Sequence, residues 1–166
     1  HLLAAAPNSV RVRDERGKLP IHLAAGKGGE ALELILAAAP QAVLATDSEG
    51  VLPLHHAACH GCVDAAEQLL AAAPEAATAS DVRRQLPIHW AASNGKTAVL
   101  QRLLAAAPAC ARRWDFVGHT PLHHALGLAS EEDELHLDAA RALLPFLTAV
   151  GVLDAIARAL PGADPL

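Results

Sequence analysis

The sequence has few large aromatic side chains. Its 166 residues include two Phe, two Trp and neither Tyr nor Met, so bulky rings cannot fill the interior. Yet 52% of the residues are apolar and the net charge is only -5, a balance that excludes a disordered chain. Alanine, the best helix former, is the most frequent residue. Small apolar side chains favour closely packed helices, and the composition therefore predicts an all-α protein.

Long apolar runs and an excess of positive charge are also missing. No uninterrupted apolar stretch approaches the roughly 20 residues needed to cross a membrane. The 13 basic residues are outnumbered by 18 acidic ones and form no long cluster. We therefore expect no membrane span and no nucleic acid as a partner.

Cysteine is scarce, with Cys59, Cys62 and Cys110 only. Three thiols do not make a disulfide framework and suit a reducing compartment. The predicted location is intracellular, either cytoplasmic or organellar, without a visible targeting segment. Because the sequence does not begin with Met, we interpret it as a piece of a longer protein.

Two short motifs recur at a fixed spacing. The first, Leu-Pro-Ile-His or a close variant, places Pro at positions 20, 53, 87 and 121. The second, Ala-Ala-Ala-Pro, ends at positions 7, 40, 74 and 108. In both series the intervals are 33, 34 and 34 residues. Two independent markers in one phase indicate an internal repeat.

The fourth copy of the first motif, Thr120-Pro121-Leu122-His123-His124-Ala125, resembles the Thr-Pro-Leu-His-x-Ala signature of the ankyrin repeat. The resemblance covers residues 14–144 and implies an ankyrin-repeat α-solenoid, in which helix-turn-helix units stack and carry short β-turn fingers. We divide the single domain, 1–166, into a partial repeat (1–13), four repeats (14–46, 47–80, 81–114 and 115–147) and a C-terminal cap or degenerate repeat (148–166).

Each unit has local signals for two helices. An Asp-x-x-Gly turn precedes Pro, which fits the first turn of a helix, and a Gly follows where that helix ends. These signals predict first helices from Pro20 to about Lys27, from Pro53 to His60 and from Pro87 to Asn94. The second helices carry apolar pairs at helical spacing and end at Ala-Ala-Ala-Pro. In the first full unit these pairs are Ala31-Leu32 and Ile35-Leu36, and in the third they are Val99-Leu100 and Leu103-Leu104.

Several positions depart from the family pattern. Leu replaces the usual Thr at positions 19, 52 and 86, so apolar packing should replace a hydroxyl contact to the signature His. Arg84 stands where the other turns have Gly, and we expect a distorted turn there. The fourth unit holds six extra residues, around positions 127–134, which predict either an acidic loop between the two helices or an extended start of the second helix. Residues 148–159 read as one more helix.

Ten His residues raise the question of metal binding. The resemblance implies that the signature residues at positions 22, 55, 89 and 123 are structural and bond the backbone between neighbouring turns. The best metal candidate is His56 with Cys59, His60 and Cys62, because Cys-x-x-Cys supplies half a zinc site. No second Cys-x-x-Cys follows, so metal binding through Cys59 and Cys62 is only a minor alternative. We predict no metal, no cofactor and, in the absence of any catalytic motif, no enzymatic activity.

The function that the resemblance implies is protein-protein interaction as a binding module or scaffold. The concave face of such a stack consists of the turn tips and the outward side of each first helix. Trp90 is expected to be an exposed centre of this face, since Trp and Arg are favoured at interface hot spots. The alternative is that Trp90 packs on its neighbouring first helix. The predicted protein-binding residues are Leu23, His56, His60, Arg83, Trp90, Asn94, Phe116, His119 and His124. The partner would be another protein or a subunit of a larger complex.

One alternative from another class stays open. The chain could be the ankyrin segment of a larger enzyme, channel or multi-subunit assembly. This possibility follows from the interpretation that the sequence is a piece of a longer protein.

Overall fold

The computed structural model describes residues 10–127 and 134–147, and it contains eight α-helices in this part of the chain. The first helices of the four pairs are α1 (Pro20–Lys27), α3 (Pro53–His60), α5 (Pro87–Ser93) and α7 (Pro121–Gly127). The second helices are α2 (Glu30–Ala38), α4 (Val63–Ala72), α6 (Thr97–Ala106) and α8 (Glu134–Leu143). The described ranges contain no strand. The all-α prediction is confirmed, and α5 ends one residue before the predicted Asn94.

Proline and glycine set the ends of the first helices. Each of these helices begins at Pro, where the missing N–H has no partner to lose. Gly28 and Gly61 follow α1 and α3 with φ of 70° and 80°, a left-handed conformation that residues with a Cβ adopt only at a cost. The chain can therefore reverse after only two helical turns.

A short 3₁₀ turn follows each second helix. Three of these turns begin at the Pro of Ala-Ala-Ala-Pro and span Pro40–Leu44, Pro74–Thr78 and Pro108–Arg112. The fourth spans Leu144–Phe146. Proline disfavours helical dihedrals in the residue before it, and Ala39 accordingly has φ -147° and ψ 71°. The motif predicted the end of the helix but not the 3₁₀ turn that follows.

The helix pairs form two packed layers around one continuous core. The helices α1, α3, α5 and α7 pack in series in the first layer, and α4, α6 and α8 pack in series in the second. Each first helix buries the residue after its Pro, namely Ile21, Leu54, Ile88 and Leu122. Buried alanines beside them, such as Ala58 and Ala92, let neighbouring helices approach closely. Stacking is how units that each have one apolar face remove that face from water.

The second helices bury one equivalent residue each, namely Ile35, Leu69, Leu103 and Leu143. In α6 both predicted apolar pairs are buried. In α2 the prediction was too broad, because Ala31 is exposed and Leu36 is only half-buried. The apolar stripe of α2 is therefore narrower than that of α6.

The turn that contains Arg84 keeps the geometry of the other turns. Arg84 has φ 59°, and its N–H donates to the carbonyl of Asp81 at 3.0 Å. Gly17 makes the same bond to Asp14 at 2.9 Å. The expected distortion was therefore wrong, since Arg84 adopts the left-handed conformation that the turn requires. A side chain in this conformation carries steric strain that glycine avoids.

Two predicted features lie outside the described residues. They are most of the acidic loop around 127–134 and the helix predicted over 148–159. Within the described ranges, no helix has the length and apolar content needed to cross a membrane.

Candidate protein-binding surface

Each turn finger is organised by its first residue, an aspartate. The Oδ1 atom of this Asp accepts hydrogen bonds from the backbone N–H groups two and four residues later, at 2.8–3.0 Å. The four residues are Asp14, Asp47, Asp81 and Asp115. Because one carboxylate oxygen holds the turn, the other oxygen, Oδ2, remains available to the side chains of the adjacent helix.

Backbone hydrogen bonds also join neighbouring fingers. The N–H groups of Ser48, Val82 and Phe116 donate to the carbonyls of Arg16, Glu49 and Arg83 at 2.8–3.0 Å. One such bond crosses each junction between fingers. The tips therefore form a regular row rather than independent loops.

The signature histidines bridge neighbouring units. The Nδ1 atom of His22 accepts the N–H of Leu19 at 3.0 Å, so the ring proton resides on Nε2. That Nε2 donates to the carbonyl of Val51 in the next unit at 3.1 Å. His55 makes the same pair of bonds, to Leu52 and Gln85. Both nitrogens are thus engaged by backbone, as the structural interpretation of these histidines requires.

Burial keeps His22, His55 and His89 neutral. It lowers the pKa of His55, and it lowers that of His89 to about 4, despite a hydrogen bond from His89 to the carbonyl of Arg113.

In the fourth unit the hydroxyl of Thr120 also lies 2.7 Å from Nδ1 of His123. Leu19, Leu52 and Leu86, which lack this hydroxyl, are buried instead.

Trp90 is half-buried rather than an exposed centre. Its Nε1–H donates to Oδ2 of Asp81 at 3.3 Å. Its ring meets His55 and His56 edge to face, with centroids 5.6 Å and 6.2 Å apart. The position after the signature His therefore packs partly on its own unit and on the unit before it. The expectation that Trp90 is exposed was too strong, since only part of the ring remains accessible.

A polar groove lies beside Trp90. Its lining includes His56, Cys59, His60, Lys18 and Glu49. Nε2 of His56 is buried in the described structure without a hydrogen-bond partner. Burial lowers the pKa of His56 to about 4, and the charge of Lys18 acts in the same direction. At neutral pH the groove therefore presents a neutral imidazole between charged tips.

The fourth unit brings His119 and His124 to the same aspartate. Nε2 of His124 lies 2.9 Å from Oδ2 of Asp115, and the amide of Gln85 donates to the same oxygen at 3.2 Å. The rings of His119 and His124 meet edge to face at 5.6 Å. Burial by itself would raise the pKa of Asp115, but the backbone N–H of His119 and the side chains of His124 and Gln85 lower it overall.

The predicted Cys-His cluster does not assemble. The Sγ–H of Cys62 donates to the carbonyl of Gly26 at 2.9 Å, whereas Cys59 lines the groove with His56 and His60. Burial raises the pKa of both thiols, which disfavours the thiolate form that binds metals. Among the described residues, the one group whose ligand atoms converge is Asp115 with His119 and His124. The Cys-x-x-Cys hypothesis fails because the chain turns between the two thiols.

Large apolar side chains are exposed at two finger tips. Val82 is 64% exposed, Phe116 76% and Val117 69%. Arg83 is exposed beside Val82, and its carbonyl accepts the N–H of Phe116. We call the tips together with the accessible side of the first helices the finger surface.

The remaining predicted residues are spread along this surface. Leu23 is 59% exposed and lies near Val12 and Lys27, beside the first described pair. Asn94 is exposed, and its amide donates to the carbonyl of Trp90 at 2.8 Å. His60 is exposed at the end of α3.

Sequence reasoning missed Trp114. It is 48% exposed and its ring lies 5.8 Å from that of His123. Trp114 directly precedes the finger Asp115, as Arg13 precedes Asp14. An alignment of the four repeat units at their finger Asp residues would have placed Trp114 at the base of the fourth finger.

The fold and this surface define a class of protein, the α-solenoid built from short helix pairs with turn fingers. The chain matches the family model described as ankyrin repeats in three copies over residues 1–78. The same helix pairs continue to Leu143, and the fold is that of ankyrin repeats. Members of this family are typically non-enzymatic and generally mediate protein-protein interaction. No curated protein matches the chain.

Proposed function

We propose that the chain is a non-enzymatic binding module whose finger surface, over the second to fourth helix pairs, receives a partner protein. The single observation that carries this proposal is the exposure of Val82, Phe116 and Val117 on adjacent fingers. Clustered apolar side chains with a polar rim are typical of interaction sites.

The order of the fingers supports the same proposal. Their aspartates and the bonds between neighbouring tips fix the backbone before a partner arrives. A surface that is already ordered loses less conformational entropy on binding. Phe116 can therefore act as an anchor on a rigid support.

The positive charge at one finger tip favours a partner that carries a carboxylate. Arg83 and Arg84 are exposed at the tip next to Phe116. An apolar side chain flanked by a carboxylate in the partner would match this arrangement. Arg can hold a carboxylate through two parallel hydrogen bonds.

The opposite face, formed by the second helices, offers fewer side chains that a partner could contact. Two pairs of its polar side chains already bond within the chain, since Arg102 contacts Glu67 at 2.8 Å and Gln68 donates to Glu33 at 3.2 Å. Leu34, at 45% exposed, is an isolated apolar residue there. Bonds made within the protein would have to be exchanged before a partner could use these groups.

Affinity capture with two matched double variants tests the proposal. The first variant, Phe116→Ser with Val117→Ser, removes the apolar tip. The second, Gln101→Ala with Arg102→Ala, alters the second-helix face. Proteins captured by the wild-type chain should be lost with the first variant and retained with the second, as quantified by mass spectrometry. The opposite pattern would place the partner on the second helices and refute the proposal.

A further inference from the structure

Three positions of the third and fourth units share one geometry. In both units the finger Asp, the residue four positions later and the residue nine positions later meet where the finger folds against its first helix. The contact is seen in the third unit, where Asp81 bonds both the Gln85 N–H and the Trp90 ring. It recurs in the fourth, where Asp115 bonds the His119 N–H and His124.

Only the fourth unit fills these three positions with metal-binding side chains. The first has Asp14, Lys18 and Leu23, the second Asp47, Val51 and His56, and the third Asp81, Gln85 and Trp90. The fourth has Asp115, His119 and His124. One ligand atom from each of these three residues lies within 4.8 Å of the other two.

We propose that Asp115, His119 and His124 bind a divalent transition-metal ion of the Zn²⁺ type. Two imidazole nitrogens and one carboxylate oxygen are a donor set that zinc accepts, with the fourth position left to water or to an external ligand. Zinc bonds of about 2 Å place ligand atoms roughly 3.3 Å apart in a tetrahedral site. The 2.9 Å between His124 Nε2 and Asp115 Oδ2 and the 4.8 Å limit on the other two separations bracket that value.

The surroundings of the three residues suit this role. Oδ1 of Asp115 is held by backbone N–H groups, so Oδ2 is the oxygen presented to an ion. The amide of Gln85 contacts Oδ2 and would orient the carboxylate from outside the ligand shell. His119 and His124 are half-buried, so an ion can reach them from solvent. Such an ion would tie the last finger to α7.

Zinc titration of the chain, purified without a polyhistidine tag and stripped with EDTA, tests this proposal. Isothermal calorimetry with Zn²⁺ alone should give one equivalent bound. His119→Ala and Asp115→Asn should each weaken binding at least tenfold. Asp115→Asn keeps a side-chain oxygen for the finger N–H groups, so the turn is preserved, and circular dichroism would verify the fold of both variants.

Two controls make the result specific. His60→Ala removes an exposed His elsewhere, and Cys59→Ser with Cys62→Ser removes both thiols of the Cys-x-x-Cys motif; neither variant should change the zinc affinity. Co²⁺ in place of Zn²⁺ should give the visible absorption of a tetrahedral site without a thiolate charge-transfer band. Failure to bind one equivalent would overturn the proposal, as would loss of binding in the Cys variant or unchanged binding in His119→Ala. None of these outcomes depends on partner binding, so the proposed function is tested separately.

Discussion

At the scale of the residue, Arg84 has a backbone conformation that its side chain disfavours. The other three fingers place Gly at this position, with φ between 73° and 84° at Gly17, Gly50 and Gly118. Arg84 has φ 59° and makes the same turn bond. The strain is retained because Asp81 and the neighbouring finger fix the rest of the turn.

Arg84→Gly should therefore stabilise the chain. Relief of the left-handed strain, of order 1–2 kcal/mol, outweighs the greater entropy of Gly in the unfolded state, about 0.5–1 kcal/mol. We expect a net gain of about 0.5–1 kcal/mol in the free energy of unfolding, measured by urea denaturation. Arg83→Gly is the matched control and should destabilise, because Arg83 does not have a positive φ. A loss of stability in Arg84→Gly would contradict the strain argument.

Phe116 is the second residue for which the structure predicts the effect of a substitution. Because it is 76% exposed, Phe116→Ala should leave stability within about 0.5 kcal/mol of the wild type. It should weaken partner binding by about 2 kcal/mol, as expected of an aromatic anchor, when affinity is measured by calorimetry with a captured partner. Leu34→Ala also truncates an exposed apolar side chain and should leave the affinity unchanged. Equal losses in the two variants would mean that the finger tip has no special role.

At the scale of the element, every second helix has one buried apolar residue at the same position of the repeat. In α6 this residue is Leu103, which is 1% exposed and aligned with Ile35, Leu69 and Leu143. The helix is ten residues long, and isolated helices of that length are marginal in water. Its stability must come from packing against α5, α4 and α8.

Leu103→Ala should cost about 2–5 kcal/mol in the free energy of unfolding, because it removes buried methyl groups and leaves a cavity. Thermal or urea denaturation would measure the change. Leu34→Ala makes the same substitution in the equivalent type of helix at a 45% exposed site, and it should cost far less. Similar costs at both positions would show that the helical phases are wrong.

At the scale of the whole molecule, the signature histidines couple the stack to pH. His22, His55 and His89 each join one unit to the next as neutral rings. Burial lowers the pKa of all three. The unfolded chain therefore binds protons more readily than the folded chain at mildly acidic pH.

The free energy of unfolding should accordingly fall as the pH decreases from about 6.5, the ordinary pKa of His, towards 4, the value for His89. Above pH 7 both states carry neutral rings, and the contribution of these residues is fully present. Urea denaturation at a series of pH values would measure this slope, and His89→Gln should reduce it. Gln101→Ala removes no titratable group and is the control; it should leave the slope unchanged. A slope that is unaffected by His89→Gln would mean that another group causes the acid sensitivity.

The sequence by itself determined the repeat, the order of the helices and most of their ends. Pro and Gly act through local dihedral angles, and the spacing of the motifs needs no tertiary information. The structural role of the signature histidines was implied by the resemblance to ankyrin repeats, and their spacing of one per unit argued against a shared ion.

Only the tertiary structure decided which side chains meet and which remain exposed. Trp90 is half-buried because the finger Asp81 and the preceding helix both reach its ring, and Cys62 turns towards Gly26 rather than Cys59. Asp115, His119 and His124 converge because a finger held by backbone bonds folds back onto α7. Asp115 and His119 lie in the irregular finger and His124 lies in α7, so neither helical nor strand periodicity could reveal this meeting.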